Sequence, residues 1–141
     1  MDISQQNIYR EFLGKFISRY SLISPESLVL LQDIGDIRFV RKNELILDVN
    51  TICKDVYVIY TGAIVSYFLC EDGDTYHKNI FIEGDLVVFT VSAITQTPSR
   101  FALQTIEDCT LIHFPYAKFR ELILCNNDLE NFYIAYLEKT G

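Results

Sequence analysis

The stretch Asp55-Val56-Tyr57-Val58-Ile59-Tyr60-Thr61-Gly62-Ala63-Ile64-Val65 decides the fold class. Its first half is a β-branched and aromatic run, its centre a Thr-Gly turn, and its second half opens another apolar run. This is the pattern of two short strands joined by a tight connection. The same texture extends outward from residue 36 to residue 114, where runs at 37–40, 45–49, 56–60, 64–69, 76–82, 86–89, 101–106 and 109–114 read as eight strands. Lys42-Asn43-Glu44, Thr61-Gly62, Glu71-Asp72-Gly73-Asp74, Glu83-Gly84-Asp85 and Glu107-Asp108 separate them. Asp72-Gly73 carries the strongest hairpin signal, because type I′ turns need positive φ at both central residues. Short strands at regular spacing predict a mainly β sandwich or barrel.

Helical periodicity flanks this core on both sides. Ile8, Tyr9, Phe12, Leu13, Phe16, Ile17 and Tyr20 lay one apolar stripe along a helix. Ser24-Pro25-Glu26-Ser27 offers a capping hydroxyl, a first-position proline and an acid, opening a short helix through Leu28, Leu30 and Leu31 that stops near Gly35. After the last strand, Pro115 starts a helix facing Tyr116, Phe119, Leu122 and Ile123 one way. Asn126-Asn127-Asp128 then caps another helix beginning near Leu129, with a stripe of Leu129, Phe132, Tyr133, Tyr136 and Leu137. Only residues 90–100 break the strand rhythm with a longer connection, and such connections in compact domains are more often functional than ornamental.

The whole chain has 141 residues, half of them hydrophobic, and a net charge of −7. One core of this size carries stability without staples, which excludes disorder and leaves no room for two full domains. The negative balance opposes the phosphate neutralisation on which nucleic-acid binding depends. Met1-Asp2-Ile3-Ser4 lacks a positive stretch followed by an apolar one, and no run approaches the roughly 20 apolar residues that span a bilayer, so a cytoplasmic protein without membrane contact is expected. Cys53, Cys70, Cys109 and Cys125 form no C-x-x-C pair and have no neighbouring His, and read as reduced core thiols.

Helix, eight-strand roll and two C-terminal helices resemble, in that order, the cyclic-nucleotide-binding domain, and three signatures resemble the Crp/Fnr family of bacterial transcription regulators. They are residues 55–65, Phe81-Ile82-Glu83-Gly84-Asp85-Leu86-Val87, and the strand pair at 102–114. The resemblance covers most of residues 20–125 and implies a jelly-roll (double-stranded β-helix) barrel with flanking helices. Residues 1–125 are then an effector domain, and residues 126–141 begin a dimerisation helix. The family's DNA-binding helix-turn-helix would lie beyond residue 141, so DNA is expected as a partner only through a segment this chain lacks.

The family's ligand cassette reads Gly-Asp-Phe-x-Gly-Glu and, later, Arg-Ser, the Glu holding the ribose hydroxyl and the Arg the cyclic phosphate. Here Gly84-Asp85-Leu86 keeps the turn, but Val88 and Phe89 stand where Gly-Glu would be. Ser99-Arg100 reverses the later pair, and in a strand a one-residue shift turns a side chain to the opposite face, so Arg100 is expected to point away from the pocket. An unpartnered ribose hydroxyl costs on the order of 1–3 kcal/mol, and a lost bidentate phosphate contact at least as much. Ordinary cAMP binding is therefore not expected. Gly84, Phe89, Ser99 and Arg100 are the effector-binding candidates, for an unidentified small molecule and no cofactor. Leu129, Phe132, Tyr133 and Tyr136 are the dimerisation candidates, implying a homodimer.

Two other readings compete with an effector-sensing regulator. The barrel could be a ligand-free interaction module with Phe89 plugging the cassette, or a metal-dependent jelly-roll enzyme. Against the enzyme, His77 and His113 lie on separate strands without the His-x-His plus Glu pattern of metal-binding cupins, and no nucleophile sits in a recognisable elbow. His113, between Ile112 and Phe114, is expected to face away from those neighbours, and neither histidine reads as a pH switch.

Overall fold

The computed structural model describes residues 2–70, 73 and 75–140, without the side chains of residues 69, 75–78 and 91. The order of elements is α1 (Ile3–Ser18), α2 (Pro25–Ile34), β1 (Asp36–Val40), β2 (Leu45–Leu47), β3 (Asp55–Thr61), β4 (Ile64–Leu69), β5 (Thr75–Phe81), β6 (Leu86–Val87), α3 (Thr90–Thr95), β7 (Phe101–Thr105), β8 (Cys109–Pro115), α4 (Tyr116–Cys125) and α5 (Asn127–Thr140). The chain divides into two compact units, Asp36–Tyr116 and the two terminal segments Met1–Gly35 with Ala117–Gly141.

The first unit is the expected jelly roll. Eight strands form two antiparallel four-stranded sheets, ordered β1-β8-β3-β6 and β2-β7-β4-β5. Tyr57 and Ile59 of β3, Ile64 of β4, Val87 of β6, Leu103 of β7, and Cys109 and Leu111 of β8 meet in the interior. Val56, Val58, Ile112 and Phe114, on the opposite face of the first sheet, are buried as well. That double burial explains why β3 and β8 read as continuous apolar runs instead of alternating ones. Gly62, between β3 and β4, holds φ at +103°, and a Cβ there would stand 2.6 Å from Cys109 Sγ and 2.7 Å from the Asp108 carbonyl oxygen. Among the glycines, this position admits nothing larger.

Four expectations at the element ends are corrected. The sixth strand stops at Val87 instead of residue 89, because residues 88 and 89 leave the pairing with β3 and Phe89 becomes the N-cap of α3. α3 itself occupies a connection in which no element is read from the sequence. Pro115 closes β8, which pairs it with Asp55, and does not start the helix that follows. α1 extends back to Ile3 and buries Leu13, Phe16 and Ile17, leaving Ile8 exposed. Asp72 and the side chain of His77 lie outside the described residues; Gly73, with φ +90°, has the left-handed backbone expected of the hairpin glycine.

The second unit is helical. Asp2 Oδ1 accepts the Gln5 N–H at 2.8 Å, Ser24 Oγ accepts the Ser27 N–H at 3.2 Å, and Asn126 Oδ1 accepts the Leu129 N–H at 3.0 Å, so three of its helices begin on side-chain caps. An aromatic cluster joins α1 to α5: Phe16 packs edge-on to Phe132 at 5.8 Å, and Tyr20 to Tyr136 at 5.4 Å. Asp128, in the first turn of α5, accepts hydrogen bonds from the Ser24 N–H and the Ser27 hydroxyl at the start of α2. These bonds, the Ser24 N–H first, hold its carboxyl below the usual range.

Candidate ligand-binding cleft

The connection between β6 and β7 folds over a cleft of about 330 Å³. Three apolar side chains wall it: Phe89 at the N-cap of α3, Pro98 in the loop, and Phe101 at the start of β7. The Phe89 and Phe101 rings lie 5.1 Å apart, tilted by 37°. Phe89 is half-buried, lining the space while packing against the core of the roll.

Thr90, Ser92, Thr97, Ser99 and Arg100 complete the lining, and two of these hydroxyls are spent on the loop's own structure. Ser92 Oγ accepts the Cys53 N–H at 2.9 Å and donates to the Thr97 carbonyl at 2.7 Å. Ser99 Oγ accepts the Phe101 N–H at 3.0 Å and donates to the Phe101 carbonyl at 2.8 Å. A hydroxyl has one proton to give. Ser92 and Ser99, both buried, therefore have no donor left for an anion in the cleft. The Ser99 backbone is equally occupied, by the Asn50 N–H and the Thr51 carbonyl at 2.8 Å each, and Pro98 bridges to Ile52. The loop is sewn to residues 50–53 along its length.

Arg100 is the one charged side chain among the described lining residues. It sits in a bend before β7 begins, so strand alternation does not govern it, and it is exposed and among the residues that line the cleft. Gly84 is not among the lining residues. It is buried in the turn between β5 and β6 with φ +84°, donating its N–H to the Ile59 carbonyl at 2.8 Å. The cleft thus brings together Phe89, Ser99 and Arg100, adds Ser92, Pro98 and Phe101, and leaves out Gly84. Sequence reading missed Ser92 because its role depends on Cys53, far away along the chain.

A second polar group lies on the first sheet. His113, on β8, is 3% exposed and has Asp36 Oδ1 of β1 at 2.8 Å from Nδ1 and Asp55 Oδ1 of β3 at 2.5 Å from Nε2. Its face is opposite to that of Ile112 and Phe114, as expected, and is shared with Tyr57, whose ring centroid is 5.4 Å away. Burial first, then the Asp55 charge, pushes the Tyr57 phenol up to about 12. Because the two carboxylates grip opposite edges of the imidazole, they do not converge on a common point, and among the described residues no three metal-ligating side chains do.

Of the dimerisation candidates, Leu129 and Phe132 are buried within the chain and Tyr133 and Tyr136 are half-buried, whereas Ile134 and Leu137, which were not candidates, stand 46% and 43% exposed on the same helix. Among the described residues no helix is long and apolar enough to cross a membrane.

The family model of the cyclic nucleotide-binding domain matches residues 37–126. The chain belongs to that family. No curated protein matches it. Among solved structures it is similar to the sensor domain of the transcriptional regulator DNR from Pseudomonas aeruginosa, at 16% identity and a TM-score of 0.77 over 97% of this chain and 91% of that one. It is similar to the regulatory subunit of a cAMP-independent protein kinase A from Trypanosoma brucei, at 17% identity and 0.75, over 98% of this chain and 46% of that one. It is also similar to the catabolite activator protein of Thermus thermophilus, at 15% identity and 0.72, over 85% of this chain and 56% of that one. The chain spans about half the length of the last two, and at these identities the likeness is one of fold.

Proposed function

We propose that this chain is the effector-sensing domain of a Crp/Fnr-like transcription regulator, and that its effector is not cAMP. The observation that carries this reading is the cleft lining: Phe89 stands where a ribose-binding carboxylate would be required, and the buried hydroxyls have given their protons to the loop. A ribose phosphate entering this space would lose its water and find one exposed guanidinium and the Thr90 and Thr97 hydroxyls in return, with no carboxylate for the ribose. The same walls suit a small, mostly apolar molecule that presents a single anionic group to Arg100. The T. brucei regulatory subunit, whose description is cAMP-independent, is consistent with this fold operating without that ligand.

The reading takes the domain as regulatory and non-catalytic, cytoplasmic, and paired with a second copy through α5. Binding in the cleft biases one arrangement of the helices over another, and only the difference in affinity between the two arrangements drives the response. The ligand-free interaction module is the less favoured reading, because Phe89 lines the cleft and does not fill it. Titration calorimetry with cAMP is the test. No saturable heat is expected in the micromolar range, and micromolar or tighter binding would refute the assignment.

A further inference from the structure

His113 presents a problem of proton count. A neutral imidazole carries one N–H and one lone pair, yet both ring nitrogens face a carboxylate oxygen at hydrogen-bonding distance, Asp36 at 2.8 Å and Asp55 at 2.5 Å. With a single ring proton, one of those contacts would set a nitrogen lone pair against an oxygen lone pair beside a ring that is 3% exposed. With two ring protons, both contacts become charge-assisted hydrogen bonds.

The surrounding charges agree with the second state. From β1, Arg38 Nε lies 3.8 Å from the same Asp36 oxygen, and its charge also acts on the Tyr57 phenol. From β3 come Asp55 and Tyr57, with Cys53 just before the strand. Tyr57, its phenol pushed up to about 12, stays neutral at working pH. Two carboxylates against one guanidinium leave one negative charge uncompensated, and an imidazolium cancels it.

We propose that Asp36, His113 and Asp55 form a proton-dependent clamp that ties β1 and β3 to the strand between them, and that loss of one proton opens its β1 side. The β1 side is the one to open for two reasons. β1 is at the edge of its sheet, and the Asp36 side chain is 63% exposed against 38% for Asp55, so Asp36 can turn into water at less cost. Opening the Asp36 contact removes a charge-assisted hydrogen bond between the edge strand and β8, so the fold is weaker with the clamp open.

The test uses the 141-residue chain labelled with 15N-histidine, with His77→Gln to assign the resonances. On the acid side both His113 ring nitrogens should carry protons. As pH rises, Nδ1 should lose its proton while Nε2 keeps its own, and the backbone amides of residues 36–40 should exchange faster with solvent. In urea titrations over the same pH range the wild-type folding constant should fall about tenfold, a fall that His113→Gln lacks. One neutral tautomer throughout, or an equal pH dependence in His113→Gln, would overturn the clamp. Should that variant not fold, the ring-nitrogen readout on the wild type decides alone.

Discussion

Gly62 shows how one residue can hold two strands in register. Its φ of +103° suits glycine, and the space a Cβ would need is already taken by Cys109 Sγ and the Asp108 carbonyl. Gly62→Ala therefore carries both backbone strain and a collision with main chain, and should cost on the order of 1–3 kcal/mol, read as a lower urea midpoint with an unchanged slope. The need for a turn was legible in Thr61-Gly62. The need for glycine in particular was not, because Asp108 and Cys109 arrive there only through the pairing of β3 with β8. His113 repeats the lesson: its alternation could be read along β8, whereas its two carboxylates come from strands far away in sequence.

Among the elements, those whose signals are local were the most legible. Ser24-Pro25 and Asn126 mark the starts of α2 and α5 because capping is settled within three residues. Asp128 reaches further, joining the first turn of α5 to the N-terminus of α2. Its carboxyl is held below the ordinary value, so it stabilises the fold at pH values above the unfolded group's, near 3.8, and that contribution disappears as pH falls through the lower folded value. Asp128→Asn should accordingly be less stable than wild type at neutral pH and converge with it in acid, followed by the helical signal in acid titrations. α3 was illegible: a six-residue helix without a side-chain cap has no periodicity to read, and the loop bonds from Ser92 and Ser99 hold it in place.

For the molecule as a whole, the proposed pairing through α5 rests on what the chain leaves open. Leu129 and Phe132 are covered by their own chain, and Ile134 and Leu137 carry the exposed apolar surface. Sedimentation should show a concentration-dependent dimer that Leu137→Asp dissociates, and a wild-type monomer at high concentration would count against the pairing. The sequence by itself determined the number of strands, their order along the chain and the starts of α2 and α5, because each is written in residue type and short-range spacing. Only the tertiary structure decided that Phe89 lines the cleft beside Phe101, that the serine hydroxyls of the cleft are spent, and that His113 is gripped from both sides. Those facts depend on contacts between distant segments, and the partners of a hydrogen bond are chosen by strand pairing and loop closure, which no local pattern specifies.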